Sequence, residues 1–97
     1  MNIQSVFEAL ADSNRRAILK LLKKNELSVR EIAEHFDISG ASMSHHLTKL
    51  KSAGLVVTRR EGQSIYYSIQ TIVFEDAKVA VLDLFNQGTR NEKRKSK

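Results

Sequence analysis

Apolar residues recur along this chain with two periods, and the period changes at Gly54. Before that glycine the spacing is helical. Ile3, Val6, Phe7 and Leu10 fall at i, i+3, i+4 and i+7 and predict a short amphipathic first helix. Asp12 or Ser13 is placed to cap a second one. It turns Ile18, Leu21 and Leu22 inward and Arg15, Arg16, Lys20, Lys23 and Lys24 outward as a solvated face, and Asn25 closes it. A third helix opens on Ser28 with Glu31 three residues later, a spacing that lets each side chain bond the other's backbone N–H. Its inner face is Val29, Ile32, Ala33 and Phe36. Asp37, Ile38 and Ser39 make a turn, with Ser39 placed to cap the fourth helix. There Met43, Leu47 and Leu50 at i, i+4 and i+7 fix one side against a core. Gly54 ends that helix, and Leu55 beyond it can touch Leu50, as happens at a left-handed C-terminal cap.

After Gly54 the pattern alternates. Residues 55–60 and 64–69 are rich in β-branched and aromatic types and enclose Glu61, Gly62 and Gln63, a hairpin with glycine at the positive-φ position. Ile65, Tyr67 and Ile69 share one face of the second strand, and Ser64, Tyr66 and Ser68 share the other. Helical spacing then returns. Thr71 is placed to cap a last helix running to about Gln87, with Phe74, Ala77, Val81, Leu84 and Phe85 as its apolar stripe. Val73 and Ala80 widen this stripe beyond what an ordinary core-facing helix needs. One small domain cannot cover so broad a face. A dimer interface is therefore expected, built from Ile3, Val6 and Phe7 of the first helix and Val73, Ala77, Ala80, Val81 and Leu84 of the last. The fold class is mainly α with a small β-hairpin.

The fourth helix is the unusual one. Opposite its apolar side stand Ala41, His45, Thr48 and Ser52, flanked by Ser42, Ser44 and Lys49. Ser and Thr compete for backbone hydrogen bonds and are mediocre helix formers, so stability does not explain such a face. A slim, donor-rich helix does suit a DNA major groove, where short side chains let the backbone approach phosphates and base edges. Ser39, Gly40 and Ser42 are expected at phosphate, Ala41, Ser44 and His45 at base edges, and Lys49 on the sugar-phosphate backbone. The hairpin tip presents Arg59, Arg60 and Gln63, expected as wing contacts to phosphate or the minor groove. The competing readings are a surface helix without a partner and basic residues that merely guard a hairpin edge.

Charge sharpens this picture in one region only. The formal net charge is +5, but residues 88–97 hold Arg90, Lys93, Arg94, Lys95 and Lys97 against Glu92 alone, which accounts for four of the five. A high isoelectric point is thus mostly a property of the tail. Residues 39–68 nevertheless gather Lys49, Lys51, Arg59 and Arg60 against Glu61, which favours an anionic partner beside the donor-rich helix. Residues 1–87 are expected to form one domain, and 88–97 a basic, disordered tail.

Several classes fall away. Without cysteine there is no disulfide, thiolate metal site or thiol redox sensor. The start lacks the basic and apolar regions of a signal peptide, and no apolar run is long enough to span a bilayer, so a cytoplasmic protein is expected. Glu75, Asp76 and Asp83 lie on the last helix without a histidine, while His35, His45 and His46 lie elsewhere, so neither metal nor cofactor is expected. Ser44 and His45 are adjacent on a helix and diverge by about 100°, which is no nucleophile and base pair. An enzyme is excluded on these grounds.

The order of elements, with ALADSNRRAILKLL at 9–22, ISGASMSHHLTKLKSAGLV at 38–56 and RREGQSIYYSI at 59–69, resembles the ArsR-type winged helix-turn-helix repressors of bacteria. The middle string, with Ser-x-His-His-Leu followed by Ala-Gly-Leu-Val, is the most specific part. Ser13 and Asn14 stand where many members have Pro-Thr, a conservative departure. The resemblance covers nearly all of residues 2–87. It implies a symmetric dimer on an inverted-repeat operator, repression by blocking a promoter, and recognition contacts at 39–45. Family metal sensors carry cysteines in the first helix of the helix-turn-helix or His and carboxylate ligands on the terminal helix, and neither set is present here. Within the family the chain looks closest to the group named for the sporulation-delaying autorepressor. That likeness implies metal independence, autoregulation and a membrane-bound immunity and signalling protein that sequesters the repressor. The rivals are a winged-helix protein-interaction module that never reads DNA, and a repressor with a small-molecule effector at its dimer interface.

Overall fold

In the computed structural model, the backbone of residues 1–95 and the side chains of residues 1–86 are described. The chain runs α1 (Ile3–Leu10), α2 (Ser13–Lys24), β1 (Leu27–Ser28), α3 (Val29–Ala33), α4 (Gly40–Ser52), β2 (Val56–Glu61), β3 (Ser64–Ile69) and α5 (Thr71–Lys95). Each of the first four helices begins at a side chain that accepts an otherwise unpaired N–H. Asn2 accepts from Ser5, Asp12 from Asn14 and Arg15, Ser28 from Glu31, and Ser39 from Ser42. The reciprocal box at α3 is complete, since the Glu31 carboxylate also accepts the Ser28 N–H at 2.8 Å. At the other end of α4, Gly54 adopts φ +78° and donates to Lys51, while Leu55 donates to Leu50. Those two bonds make a Schellman cap with Leu50 and Leu55 in the core behind it.

Val6, Ile18, Ile32, Leu50 and Leu55 are fully buried, one from each of α1 to α4 and the last from just beyond the cap. Each contributes about 1.5–3 kcal/mol by leaving water. The four helices therefore share one core, with Val56, Tyr67 and Ile69 closing it from the sheet and Val73, Phe74 and Ala77 from α5.

Several expectations need correction. The sheet has three strands in the order β1-β3-β2, because Leu27 and Ser28 pair antiparallel with Tyr67 and Tyr66. The hairpin loop is shorter than read, since Glu61 pairs with Ser64 and leaves only Gly62 and Gln63 to turn. With positive φ at Gly62 alone, this is the φ pattern of a type II′ turn, whose twist matches the strands. Ala33 is exposed and Leu19, not Leu21, is the buried leucine in the middle of α2. Thr71 lies inside α5, whose first bond runs from the Phe74 N–H to the Gln70 carbonyl. The last helix also continues past Gln87 to Lys95, through a run of good helix formers interrupted only by Gly88, Thr89 and Asn91. The expected boundary at residue 87 therefore falls within a helix. The side chains of the basic tail lie outside the described residues.

Candidate nucleic-acid interface

The two sides of α4 are sharply divided. Met43, His46, Leu47 and Leu50 are buried, whereas Ser39, Gly40, Ala41, Ser42, Ser44, His45, Thr48 and Lys49 are all exposed. Every expected recognition residue is thus on the surface, along one continuous ridge. The Ser39 hydroxyl takes the Ser42 N–H at 3.1 Å and lies 3.2 Å from the Ser42 hydroxyl. The first-turn N–H groups of Gly40 and Ala41 have no intrahelical partner, so the helix presents donors and the positive end of its dipole there. A Cβ built on Gly40 would meet nothing within 4 Å. No internal packing therefore requires glycine at that position.

The ridge is held by a buried polar contact that the sequence did not announce. Arg15, expected on a solvated face, is buried. Its Nε donates to the Ala9 carbonyl at 2.8 Å and its Nη2 to the Glu8 carbonyl at 3.1 Å, so it caps the end of α1. Its Nη1 lies 3.2 Å from Nδ1 of His46 on α4. A guanidinium has only donors, so Nδ1 accepts and the ring proton sits on Nε2. One side chain of α2 thereby joins α1 to α4. Asp12 sits beside this contact, 3.9 Å from His46 Nδ1. Partial desolvation pushes the Asp12 carboxyl upward, but the N–H bonds from Arg15 and Asn14 and the positive charge of Arg15 outweigh it, and it lies below the usual carboxylate range.

In the wing, alternation divides the two arginines. Arg60 pairs with Ile65 along the sheet face that also carries Val56 and Tyr67, and Arg59 pairs with Tyr66 on the other face. Arg60 and Gln63 are exposed at the tip. Among the described residues Lys49, Lys51 and Arg60 take part in no ion pair. Arg59 differs. It bonds Glu26 and Glu61, and its guanidinium lies 4.7 Å from the centre of the Tyr66 ring. The Arg59 hydrogen bond holds the Glu26 carboxyl below its ordinary range, and the two carboxylates raise the arginine further.

The expected dimer residues divide as well. Val6 is fully buried as part of its own chain's core, so it is not available to a second copy. Ile3, Val73, Ala77, Ala80 and Val81 are half-buried, and Val73 and Ala77 pack on the chain's own core. Phe7 and Leu84 are exposed. Ile72, Val79 and Leu82, left out of the expected stripe, are more than half exposed. Their signal was present in the sequence as apolar residues unused by the stripe. Among the described residues no three of His, Cys, Asp and Glu gather closely enough to hold a metal, and no helix is long and apolar enough to cross a membrane.

Residues 12–58 match the family described as bacterial regulatory protein, arsR family. The chain is 45% identical over 86 residues to the transcriptional repressor SdpR of Bacillus subtilis, across 89% of this chain and 96% of that one. Its fold superposes on an ArsR-like transcriptional regulator from Rhodococcus with a TM-score of 0.85 at 25% identity, covering 94% of this chain and 86% of the other. It also matches the homodimeric winged helix-turn-helix DNA-binding domain of a possible ArsR-family regulator from Mycobacterium bovis, with a TM-score of 0.68, 37% identity and coverage of 84% and 77%. Nothing in these matches supports the membrane-bound partner.

Proposed function

The chain belongs to the ArsR family of bacterial regulatory proteins, and on that premise we propose that it is a homodimeric, sequence-specific transcriptional repressor, acting in the cytoplasm and on its own promoter. The observation that carries this reading is the α4 ridge. It is exposed along its whole length, rich in small polar side chains and capped by Ser39. A phosphate at its N-terminal end meets the N–H groups of Gly40 and Ala41 together with the hydroxyls of Ser39 and Ser42. Ala41, Ser44 and His45 then face base edges, and Lys49 follows the sugar-phosphate backbone. At the wing tip Arg60 and Gln63 reach phosphate or the minor groove.

A second copy is invoked because Phe7, Ile72, Val79, Leu82 and Leu84 leave more apolar surface on α1 and α5 than a lone domain exposes without cause. Twofold pairing there sets two recognition helices about 34 Å apart, one turn of duplex. Metal independence is supported by the sequence of α5, which carries carboxylates without a histidine or cysteine.

Selection from a random DNA pool, followed by a salt titration on the selected site, tests the reading. With about four phosphates neutralised per protomer, the log–log slope of affinity against salt is expected near −7. Absence of any enriched sequence, or a slope shallower than about −2, favours the protein-interaction module instead.

A further inference from the structure

Resting on the DNA-binding reading above, we propose that Arg59 is a positioning residue, a clamp that sets the wing against the helix-turn-helix, and that the phosphate grip belongs to its neighbour Arg60. Tyr66 of β3 is paired on one side with Arg59 of β2 and on the other with Ser28 of β1. The Arg59 side chain crosses β3 above the Tyr66 ring and reaches Glu26, one residue before β1. Nε bonds the two oxygens of Glu26 at 3.0 and 2.9 Å, and Nη2 bonds Oε1 at 2.7 Å. Nη1 turns back to Glu61 Oε2 at 2.6 Å. The planar fork thus bonds two carboxylates at once and lies against an aromatic ring, which is the geometry arginine serves and lysine does not.

Two consequences follow for the wing. Three of the five guanidinium N–H donors of Arg59 already serve carboxylates, and the cluster of Arg59, Glu26 and Glu61 carries a net negative charge that repels a phosphate. Meanwhile β1 is only two residues long, and it leads directly into the Ser28 cap of α3, the first helix of the helix-turn-helix. The Glu26 bond therefore ties β2, which carries the wing, to the segment that anchors the recognition unit. Arg60, on the other face and without an ion pair among the described residues, is free to grip.

The test uses Arg59→Met, Arg59→Lys, Glu26→Gln and Arg60→Met in the full chain. Arg60→Met is expected to flatten the salt slope by about two for the dimer, one phosphate per protomer. Arg59→Met is expected to weaken binding to the selected site by about fivefold or more with the slope unchanged, and Arg59→Lys is not expected to rescue it. Glu26→Gln gives the sharpest contrast. It removes a negative charge near the DNA and still weakens binding if the clamp matters. Tighter binding by Glu26→Gln, or a slope flattened by Arg59→Met as much as by Arg60→Met, overturns the proposal. Amide exchange in the free protein is a readout independent of DNA. Arg59→Met and Glu26→Gln are both expected to speed exchange at Leu27 and Ser28, and unchanged exchange overturns the clamp even where the wild type proves not to read DNA.

Discussion

Arg15 Nη1 lies 3.2 Å from His46 Nδ1, and this contact joins the buried side of α4 to the end of α1. The same guanidinium caps two α1 carbonyls, so its loss leaves several polar groups unpaired at once. Arg15→Met is expected to destabilise the fold by about 2–3 kcal/mol, the scale of stranded buried polar groups. Urea unfolding measures it, and a change below about 0.5 kcal/mol contradicts the role assigned to this residue.

Gly40 separates folding from binding. It has room for a side chain and no positive φ, so Gly40→Ala is expected to be neutral or stabilising by about 0.4–1 kcal/mol. If a phosphate approaches Gly40 as proposed, the added methyl stands in its way, and affinity for the selected site should fall. Unfolding curves and binding isotherms of the one variant check both halves.

The exposed apolar residues of α5 predict the assembly state. Val79→Asp and Leu82→Asp place charges on surface that is open in the single chain, so each variant should stay folded by circular dichroism. Sedimentation should show a monomer in place of a dimer, with DNA binding weakened in step. A dimer that survives both substitutions moves the interface elsewhere.

Acid should loosen both ends of the helix-turn-helix. The Arg59 hydrogen bond lowers the Glu26 carboxyl, and N–H bonds and the neighbouring Arg15 charge lower that of Asp12 against partial desolvation. A carboxyl whose folded value lies below its unfolded one contributes stability that is complete above the unfolded value and is lost as pH falls through the folded one. The melting temperature should therefore hold above about pH 5 and fall below about pH 4. Glu26→Gln and Asp12→Asn should each flatten that fall, and a wild-type-like acid slope in both variants contradicts the assignment.

Much of the architecture could be read from spacing, because capping residues and apolar periods act locally. The Ser28 and Glu31 box, the Ser39 cap and the Gly54 stop all form as their sequence separations require. The α4 ridge was legible for the same reason, since its composition makes no sense as packing. What escaped was set by distant partners. Arg15 reads as one more cation on a basic helix until α1 and His46 are placed around it. Arg59 and Arg60 are indistinguishable as a pair in the sequence, and only strand alternation with Glu26, 33 residues away, separates their contacts. The strand at Leu27 is two residues long, too short for any period to register. Val6 fits a helical stripe that faces either a core or a partner, and periodicity alone cannot choose between them.

The claim on which the rest depends is that the outer side chains of α4 read bases. Site selection from a random pool, run in parallel on the wild type and His45→Ala, tests it most directly. The wild type is expected to enrich an inverted repeat with half-sites about 10 base pairs apart, centre to centre, or a multiple of that. His45→Ala is expected to lose discrimination at one position in each half-site and keep the others. An identical consensus from both proteins contradicts base reading by this ridge, and no consensus from either contradicts DNA recognition altogether.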